Sequence, residues 1–499
     1  MTHIDKDLAS IQQARDLCNQ AREAMRSFQF ASQEEVDRIC EAMVEAAVAE
    51  AARLGQLAHE ETGFGFPLHK KLKNEFASRN VWEYIKDTPT CGVLHHDKER
   101  KIVEIGAPVG VIVALTPSTN PTSTAIFKSL ISVKARNAVI VAPHPSASKS
   151  TAEAVRVIAE AGERAGMPAG LISCLENPTI QGTTELMSHH ATSMILATGG
   201  PGMVKAAHSQ GKPALGVGPG NVPAYVDRSA HVVKAARMIV ESKSFDCSTI
   251  CATEQAVIAD RPIAERLKAE MQAHGAHWLT KEEADTLAAV MFRPNGMMVA
   301  GLVGRTPQYI AKKAGIQVPE TARILVADLE GIGPDHPLSR EKLTTVLGFM
   351  VVDGWREGCE RAIEMLKFGG DGHSVSIHSR DEEAILAFGI EKPAFRVLVN
   401  TWGSLGGVGF TTGLAPSLTL APGGVGGAAV GDNITLKHVL NVKRVAYHLR
   451  EAPEVAKLRG GVGGDASTPA PASASTNDPG QDAINRIVAQ VLAEMRGTS

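Results

Sequence analysis

The chain lacks a strong excess of charge of either sign and lacks long apolar runs. Its 51 basic and 54 acidic side chains give a net charge of −3 over 499 residues. This balance provides no electrostatic footprint for nucleic acid or for an anionic membrane. No apolar run reaches the about 18 residues of a membrane span, and the N-terminus lacks the basic and apolar regions of a secretory signal. We therefore expect a cytoplasmic protein without nucleic-acid or membrane partners.

Cysteines are few, odd in number and scattered. The seven cysteines suit reduced thiols in the cytosol better than a disulfide framework. One pair, Cys247 and Cys251, lies close together, but no second cysteine pair or close histidine pair accompanies it as a four-ligand zinc site would need. No metal is predicted.

Apolar strands alternate with amphipathic helices after an all-helical start. A chain of this length exceeds a single core, so two or three domains are expected. Three helical stretches (4–28, 36–54 and 68–84) precede strands predicted at 101–106, 110–115, 138–141, 171–174 and 194–197. This alternation predicts an α/β domain with a parallel sheet. Ligands bind beyond the carboxyl ends of such strands, where Asn120, His144 and Thr198 lie.

A second α/β stretch runs from about 229 to 422. Strands are predicted at 256–259, 323–327, 347–352, 374–377 and 396–399. Glycine runs at 406–409 and 423–427 permit either close backbone approach to a ligand or plain surface loops.

The composition changes again at the C-terminal end. Residues 459–480 are almost all glycine, alanine, serine, threonine and proline, which predicts a flexible linker. Residues 482–495 then place six apolar side chains on one helical face: Ile484, Ile487, Val488, Val491, Leu492 and Met495. A tethered helix of this kind needs a groove on its own protein or on another one.

The cysteine pair follows a predicted helix (232–245) and precedes the strand at 256–259. A thiol on a loop beside a sheet is a candidate for covalent catalysis, because a thiolate attacks carbonyl carbon and holds the product as a thioester. Cysteine is also a common small buried hydrophobic residue. The residues alone leave these interpretations, and the choice between Cys247 and Cys251, open.

Ordered motifs along residues 1 to about 450 resemble the CoA-acylating branch of the aldehyde dehydrogenases. The chain is similar to the aldehyde dehydrogenase half of bifunctional aldehyde-alcohol dehydrogenases and to acylating dehydrogenases of bacterial microcompartments. The matching stretches are 116–122 (TPSTNPT), 142–145 (APHP), 197–200 (ATGG), 216–221 (GVGPGN), 242–246 (SKSFD), 250–255 (ICATEQ), 341–343 (EKL), 369–374 (GGDGHS) and 414–420 (LAPSLTL).

The resemblance implies an aldehyde dehydrogenase-like α/β fold with a definite division of the chain. A Rossmann-type cofactor domain (1–228) would carry a small oligomerisation hairpin near 91–106 and 440–450. A catalytic domain (229–422) and a return to the cofactor and oligomerisation region (423–455) would follow. The linker (456–480) and an amphipathic targeting helix (481–497) would complete the chain, which is expected to form a homo-oligomer, a dimer or tetramer.

The resemblance also implies catalytic roles. Cys251 matches the family nucleophile, which makes Cys247 the lesser candidate. Asn120 matches the side chain that binds the oxyanion together with the Cys251 backbone N–H. His373 matches a histidine often assigned to the thiol step. An exposed loop asparagine and a satisfied core histidine are the alternatives for Asn120 and His373.

NAD is the implied cofactor, with NADP possible, and coenzyme A is the implied co-substrate. His144 would lie near the adenosine ribose and Glu341 near the nicotinamide ribose, an ordinary surface glutamate being the alternative for Glu341. The predicted cofactor-binding residues are Thr116, Pro117, His144, Thr198, Gly199, Gly200, Gly218 and Glu341.

The segment 216–220 holds no carboxylate, whereas hydrolytic relatives carry a glutamate there as the base for water. A thiol is a better nucleophile than water near neutral pH, so acyl-CoA is the expected product. The expected substrate is a short-chain aldehyde such as acetaldehyde or propionaldehyde, and the reaction is expected to be reversible. A hydrolytic dehydrogenase, a sulfonated or amino-alcohol-derived aldehyde substrate, and a catalytically silent scaffold are the alternatives.

The tail departs from the bifunctional enzymes, because no iron-dependent alcohol dehydrogenase domain follows residue 450. The tethered helix resembles an encapsulation peptide. It implies docking on microcompartment shell or cargo proteins and a location in the compartment lumen.

Overall fold

A computed structural model describes residues 5–452, so the predicted linker and targeting helix lie outside the described residues. The helices are Lys6–Phe28 (α1), Gln33–Ala49 (α2), Ala51–Thr62 (α3), Pro67–Glu75 (α4), Val81–Ile85 (α5), Pro121–Lys134 (α6), Ser148–Arg164 (α7), Ile180–Ser188 (α8), Pro201–His208 (α9), Val232–Ser244 (α10), Arg261–Ala273 (α11), Lys281–Met291 (α12), Pro307–Ala314 (α13), Gly354–Gly369 (α14), Glu382–Glu391 (α15) and Gly403–Gly407 (α16). The strands are Val93–Asp97 (β1), Ile102–Pro108 (β2), Val111–Thr116 (β3), Ala138–Pro143 (β4), Ile172–Cys174 (β5), Thr192–Thr198 (β6), Ala214–Val217 (β7), Val222–Val226 (β8), Glu254–Asp260 (β9), Ala276–Trp278 (β10), Ile324–Asp328 (β11), Val346–Val352 (β12), Val375–His378 (β13), Val397–Val399 (β14) and Leu440–Ala446 (β15).

The N-terminal region is helical as its sequence indicates, with two differences from the prediction. The stretch predicted as one helix at 36–54 is divided at Glu50 between α2 and the start of α3, which continues to Thr62. Ser32 and Glu35 make the reciprocal capping box that begins α2. The single helix predicted over 68–84 is instead α4 and α5 joined by a π-helical turn at Phe76–Asn80. There the Ser78 hydroxyl donates to the carbonyls of Asn74 and Glu75, bonds that periodicity does not reveal.

A parallel five-stranded sheet with order β5-β4-β3-β6-β7 forms the first α/β unit. Every residue of β3 and β4 is buried, as expected for strands covered by helices on both faces. Ala114 pairs with Val141 on one side and Leu196 on the other. The predicted parallel sheet is thus confirmed, and β7 is a strand that the pattern did not predict.

A parallel seven-stranded sheet with order β10-β11-β12-β9-β8-β13-β14 forms the second unit. The five strands predicted here are present, and β9, at its centre, is buried along its whole length. The sequence prediction missed β8 and β10. Strand β10 has three residues, too few for a pattern to reveal.

A three-stranded antiparallel sheet, β1-β2-β15, joins residues 93–108 to residues 440–446. Both segments predicted for an oligomerisation hairpin therefore lie in one sheet. The α/β fold class is confirmed, while the domain boundaries stay a prediction. Within residues 5–452, no helix has the length and apolarity needed to cross a membrane.

A glycine in the loop before β13 packs closely against the backbone at Pro422, and replacing it tests this contact. Gly372 has φ +75, and a Cβ there would lie 1.6 Å from the Pro422 carbonyl oxygen. We predict that Gly372→Ala destabilises the protein by at least about 2 kcal/mol, since left-handed backbone strain alone costs about 1–2 kcal/mol. Thermal unfolding measures the loss.

Gly389 in α15 is the matched control, because a Cβ there would meet nothing within 4 Å. Gly389→Ala should leave the unfolding temperature unchanged or raise it. An increase would correspond to about 0.5–1 kcal/mol in the free energy of unfolding, the usual gain from replacing glycine in a helix. Equal unfolding temperatures for the two variants would contradict this account of the Gly372 loop.

Candidate active site

The loop between α10 and β9 has an unusual backbone. Three successive residues other than glycine adopt positive φ: Asp246 (φ 46), Cys247 (φ 52) and Ser248 (φ 63). This conformation is costly for L-residues, and it persists only where surrounding contacts determine it. The loop leads directly to Thr249, Ile250 and Cys251.

The buried carboxylate of Asp246 holds this loop. It accepts hydrogen bonds from the Phe66 backbone N–H (2.8 Å), the Thr249 hydroxyl (2.8 Å), Lys70 Nζ (3.1 Å) and Lys73 Nζ. Burial would raise the pKa of Asp246, but the two ammonium groups outweigh that effect and lower it to about 2. The carboxylate is thus ionised and fully paired at neutral pH.

Gly65 is the close neighbour that makes room for this carboxylate. A Cβ on Gly65 would lie 1.8 Å from Asp246 Oδ1. The glycine also has φ +62, so the turn before α4 and the carboxylate fit together only without a side chain.

Cys251 lies partly buried at the amino end of β9, with its sulfur 3.1 Å from His373 Nε2. Burial raises the pKa of the Cys251 thiol to about 12, the Glu341 carboxylate raises it further, and nearby Arg396 and backbone N–H groups oppose the rise. Cys247 is fully buried, and burial raises its thiol pKa to about 12 as well. Of the two cysteines, Cys251 alone contacts a histidine in the described part of the chain.

His373 is fully buried and belongs to a polar chain. Its Nδ1 lies 3.0 Å from the Ser374 hydroxyl, which accepts a hydrogen bond from Arg396 Nε at 3.1 Å. Burial, and then the Arg396 charge, lower the pKa of His373 well below its usual value, so the imidazole is neutral at neutral pH. In the tautomer that carries its proton on Nδ1, the Nε2 lone pair faces the thiol and can accept its proton. His373 thus contacts the thiol as well as its core partner Ser374, and its role in the thiol step stays a prediction.

Asn120 ends the loop after β3 and immediately precedes α6. Its Nδ2 donates to the Thr249 carbonyl (2.9 Å) and the Thr119 hydroxyl (3.2 Å), while Oδ1 accepts from Lys73 Nζ at 2.5 Å. The positive end of the α6 dipole lies at the same place. The amide is held beside the loop that carries Cys251, and it is not a free surface asparagine.

Asn120 and Cys251 line one cavity of about 280 Å³. The cavity takes residues from the carboxyl ends of β3, β4, β6 and β7 and from segments at the amino ends of β8, β9 and β12. The two parallel sheets therefore meet at this cavity, one with its carboxyl ends and the other with its amino ends.

The cavity brings together most of the predicted cofactor-binding residues. Those that line it are Pro117, His144, Thr198, Gly199, Gly200, Gly218 and Glu341. Thr116 is fully buried in β3 and is not among the lining residues. Gly200 is the N-cap residue immediately before α9 and has no side chain to cap the helix. A Cβ there would meet nothing within 4 Å. An open helix N-terminus of this kind fits the pyrophosphate of a dinucleotide.

Glu341 is the one acidic residue among the described residues that line the cavity. It is partly buried, and its carboxylate accepts a hydrogen bond from the Gly220 backbone N–H at 2.7 Å. Burial raises the pKa of Glu341 to about 7. Glu341 is thus held by the backbone at the cavity, and its contact with the nicotinamide ribose stays a prediction.

The segment 216–220 approaches the thiol too closely for a side chain at its end. A Cβ on Gly220 would lie 2.2 Å from the Cys251 carbonyl oxygen and 3.0 Å from His373 Nδ1. The imidazole thus fills the space beside Gly220, and the segment itself carries no carboxylate.

Sequence reasoning missed the residues that support the site. Lys70 and Lys73 on α4 and Arg396 lie outside the matching motifs, and Ser374, which ends the motif at 369–374, was assigned no role. The signal for the lysines was weak, since two lysines three apart on a helix usually face solvent. Their burial follows from Asp246, which is 173 residues away from Lys73 in sequence.

These features define an α/β protein in which a Rossmann-type sheet and a second parallel sheet enclose a thiol and an imidazole. The pattern of the aldehyde dehydrogenase family matches residues 4–291, and the chain belongs to this family.

The chain is 43% identical over 397 residues to an aldehyde-alcohol dehydrogenase of Streptococcus pneumoniae, covering 78% of this chain and 45% of the relative. It thus spans about half the length of that curated relative. A solved acetylating aldehyde dehydrogenase from Geobacillus thermoglucosidasius is 49% identical, with a TM-score of 0.89 over 90% of this chain and 99% of that one. A propionaldehyde dehydrogenase from a fucose-utilisation microcompartment of Clostridium phytofermentans is 28% identical, with a TM-score of 0.79 over 87% and 97%.

The charge on Glu341 supplies a test of the site's electrostatics. Above pH about 7 the carboxylate is ionised and raises the pKa of the Cys251 thiol. We predict that Glu341→Gln lowers this thiol pKa and speeds alkylation of Cys251 by iodoacetamide several-fold at about pH 8–9. This range lies above the pKa of Glu341 and below that of Cys251, so the carboxylate is charged while the thiol is still mostly protonated. Peptide mass spectrometry over a pH series measures the rate.

Glu330→Gln is the control, because Glu330 pairs with Lys281 on the surface. Its alkylation profile should overlay that of the unchanged protein. An unchanged or slower rate in Glu341→Gln would contradict the assigned effect of the Glu341 carboxylate on the thiol.

Proposed function

We propose that this protein is a CoA-acylating aldehyde dehydrogenase. It oxidises a short-chain aldehyde to its acyl-CoA with a nicotinamide cofactor and coenzyme A, in a reversible reaction. The observation that carries this proposal is the 3.1 Å contact between His373 Nε2 and the Cys251 sulfur beside a glycine segment without a carboxylate.

The first step is addition of the thiol to the aldehyde. His373 Nε2 takes the Cys251 proton, and the sulfur bonds to the carbonyl carbon. The oxygen becomes an oxyanion that Asn120 Nδ2 and the Cys251 backbone N–H stabilise. Because both the thiol and the imidazole are neutral at rest, the proton moves when the substrate arrives, and the thiol stays unreactive until then.

When bound, a nicotinamide cofactor would accept the hydride that the adduct on Cys251 gives up as it becomes a thioester. The glycines at 199 and 200 and the start of α9 would hold its pyrophosphate, and Glu341 its nicotinamide ribose. These residues orient the cofactor, while the protein's own chemistry remains at the sulfur. NAD is the cofactor we propose, and NADP is the alternative.

The acyl group passes to coenzyme A and not to water because the base at the site is the His373 imidazole and no carboxylate is present at 216–220. A thiol loses its proton to a neutral imidazole far more readily than water does, and it is the better nucleophile near neutral pH. Once His373 has released the first proton to solvent, it can accept the coenzyme A proton as the new thioester forms, and it returns that proton to the Cys251 thiolate that leaves. The hydrolytic alternative would need a base for water at 216–220, where the chain has only glycine, valine and proline. The name of the Geobacillus relative, an acetylating enzyme, agrees with this choice.

The walls of the cavity favour a small apolar substrate. Around Cys251 they include Ile250, Val303, Leu343, Val408, Leu418 and Leu420. Neither lysine nor arginine is among the described lining residues, so no cation is placed to recognise a sulfonated aldehyde. Acetaldehyde or propionaldehyde is the substrate we propose.

We further propose a homo-oligomer that uses β15. This strand lies at the edge of its sheet and is mostly exposed, and the exposed apolar side chains of Val445, Tyr447 and Leu449 lie on it or just beyond it. An exposed strand edge is a template for pairing with another chain, and a second copy of this protein would cover it.

The two cysteines test the mechanism. We predict that Cys251→Ala reduces aldehyde-dependent, CoA-dependent cofactor reduction by at least about 10³-fold, because no other thiol contacts the histidine in the described chain. Cys247→Ala, the matched control in the same loop, should retain most of the activity. Chromatography of the products should show acyl-CoA, formed only when coenzyme A is present.

Two outcomes would contradict the proposal. Undiminished activity in Cys251→Ala would move the nucleophile elsewhere. Rapid formation of free acid without coenzyme A would favour the hydrolytic alternative.

We propose a location inside a bacterial microcompartment, because the sequence predicts a linker (456–480) and an amphipathic helix (481–497) that resemble an encapsulation peptide. The name of the Clostridium phytofermentans relative, which places that protein in such a compartment, agrees with this. Deleting residues 478–499 should leave activity unchanged and abolish co-assembly with shell proteins in a co-expression pull-down. Undiminished co-assembly would contradict the proposal.

A further inference from the structure

The ammonium group of Lys73 lies directly behind the carboxamide of Asn120. Lys73 projects from α4 and is 4% exposed. Its three N–H bonds are all engaged: with Asn120 Oδ1 (2.5 Å), with Thr249 Oγ1 (2.8 Å) and with the Asp246 carboxylate. One side chain thus joins the amide, the loop carboxylate and the residue two positions before the nucleophile.

These contacts fix which way the Asn120 amide faces. A flipped amide would place its NH2 group against the lysine ammonium, two donors in contact without an acceptor. In the orientation that these hydrogen bonds fix, the NH2 group of Asn120 donates to the Thr249 carbonyl at the wall of the cavity. Of its two acceptors the Thr119 hydroxyl is the more distant, at 3.2 Å, and a hydroxyl can rotate away when an oxyanion competes for that N–H.

The charge of Lys73 also strengthens the amide as a donor. A cation bonded to the amide oxygen draws electron density from nitrogen and makes its N–H groups better donors. Burial lowers the pKa of Lys73 to about 8 against the opposing effect of Asp246, so the ammonium remains largely charged at neutral pH.

We propose that Lys73 is a positioning residue for the oxyanion site: it orients and polarises the Asn120 carboxamide toward the aldehyde oxygen. The inference rests on the proposed role of Asn120. Lys70 also donates to the Asp246 carboxylate, but its other hydrogen bond goes to the Thr119 carbonyl and not to Asn120. Lys73 is therefore the lysine through which charge reaches the amide.

A double-mutant cycle tests the inference. Lys73→Met, Asn120→Ala and the double variant are compared by the single-turnover rate of cofactor reduction at saturating propionaldehyde. We expect Asn120→Ala to lose about 10²–10³-fold and Lys73→Met about 10–100-fold, as for a misplaced catalytic group. The double variant should be no slower than Asn120→Ala alone, because the lysine acts through the amide.

Two further measurements separate positioning from a loss of structure. Iodoacetamide should alkylate Cys251 in Lys73→Met at close to the normal rate, since the amide acts on the oxygen and not on the thiol. Lys134→Met is the buried-lysine control: Lys134 is fully buried, pairs with Asp37 and lies about 20 Å from Asn120 along α6. It should lower the unfolding temperature without changing the turnover rate.

The outcomes separate the inference from the function on which it rests. Full activity in Asn120→Ala would overturn the proposed oxyanion site itself. A reduced Asn120→Ala rate with losses that multiply in the double variant, or no loss in Lys73→Met, would overturn the role of Lys73 alone. If Lys73→Met does not fold, Lys73→Gln, which is uncharged but retains N–H donors, replaces it in the same cycle and is judged by the same outcomes.

Discussion

The buried ion cluster of Asp246 with Lys70 and Lys73 is the interaction on which this active site depends. It compensates for three left-handed residues in succession, which no sequence of non-glycine residues would adopt alone. Removing Asp246 would leave two buried ammonium groups without their counter-charge, and breaking a buried pair in this way costs about 3–5 kcal/mol. The cluster also links helix α4 to the loop that carries Cys251. The position of the proposed nucleophile therefore depends on the N-terminal helices.

The cavity lies where two parallel sheets present opposite ends. The carboxyl ends of the first sheet supply loops with glycine and helix N-termini, which suit a phosphate-bearing ligand. The amino ends of the second sheet supply the thiol, the imidazole and Glu341. Hydride acceptor and nucleophile can thus be brought together while each sheet retains an uninterrupted core.

Much of this was predictable from the sequence. Apolar runs predicted the central strands, such as β9 and β12, because strands buried on both faces need apolar residues throughout. The motifs around Asn120, Cys251, His373 and Glu341 predicted residues that now lie around one site. The short strands β7 and β10 were missed because three or four residues carry no period. The π-helical turn was missed because the sequence pattern runs through it as one continuous helix. The Lys73–Asp246 contact was missed because long-range pairing of charges leaves no local pattern.

The central claim is that one sulfur, Cys251, captures an acyl group and passes it to a second thiol. Intact-protein and peptide mass spectrometry during turnover with propionaldehyde and NAD+ tests it most directly. The account predicts a propionyl adduct on Cys251 that accumulates without coenzyme A and disappears, with formation of propionyl-CoA, when coenzyme A is added. An adduct on another residue, or none during active turnover, would contradict it.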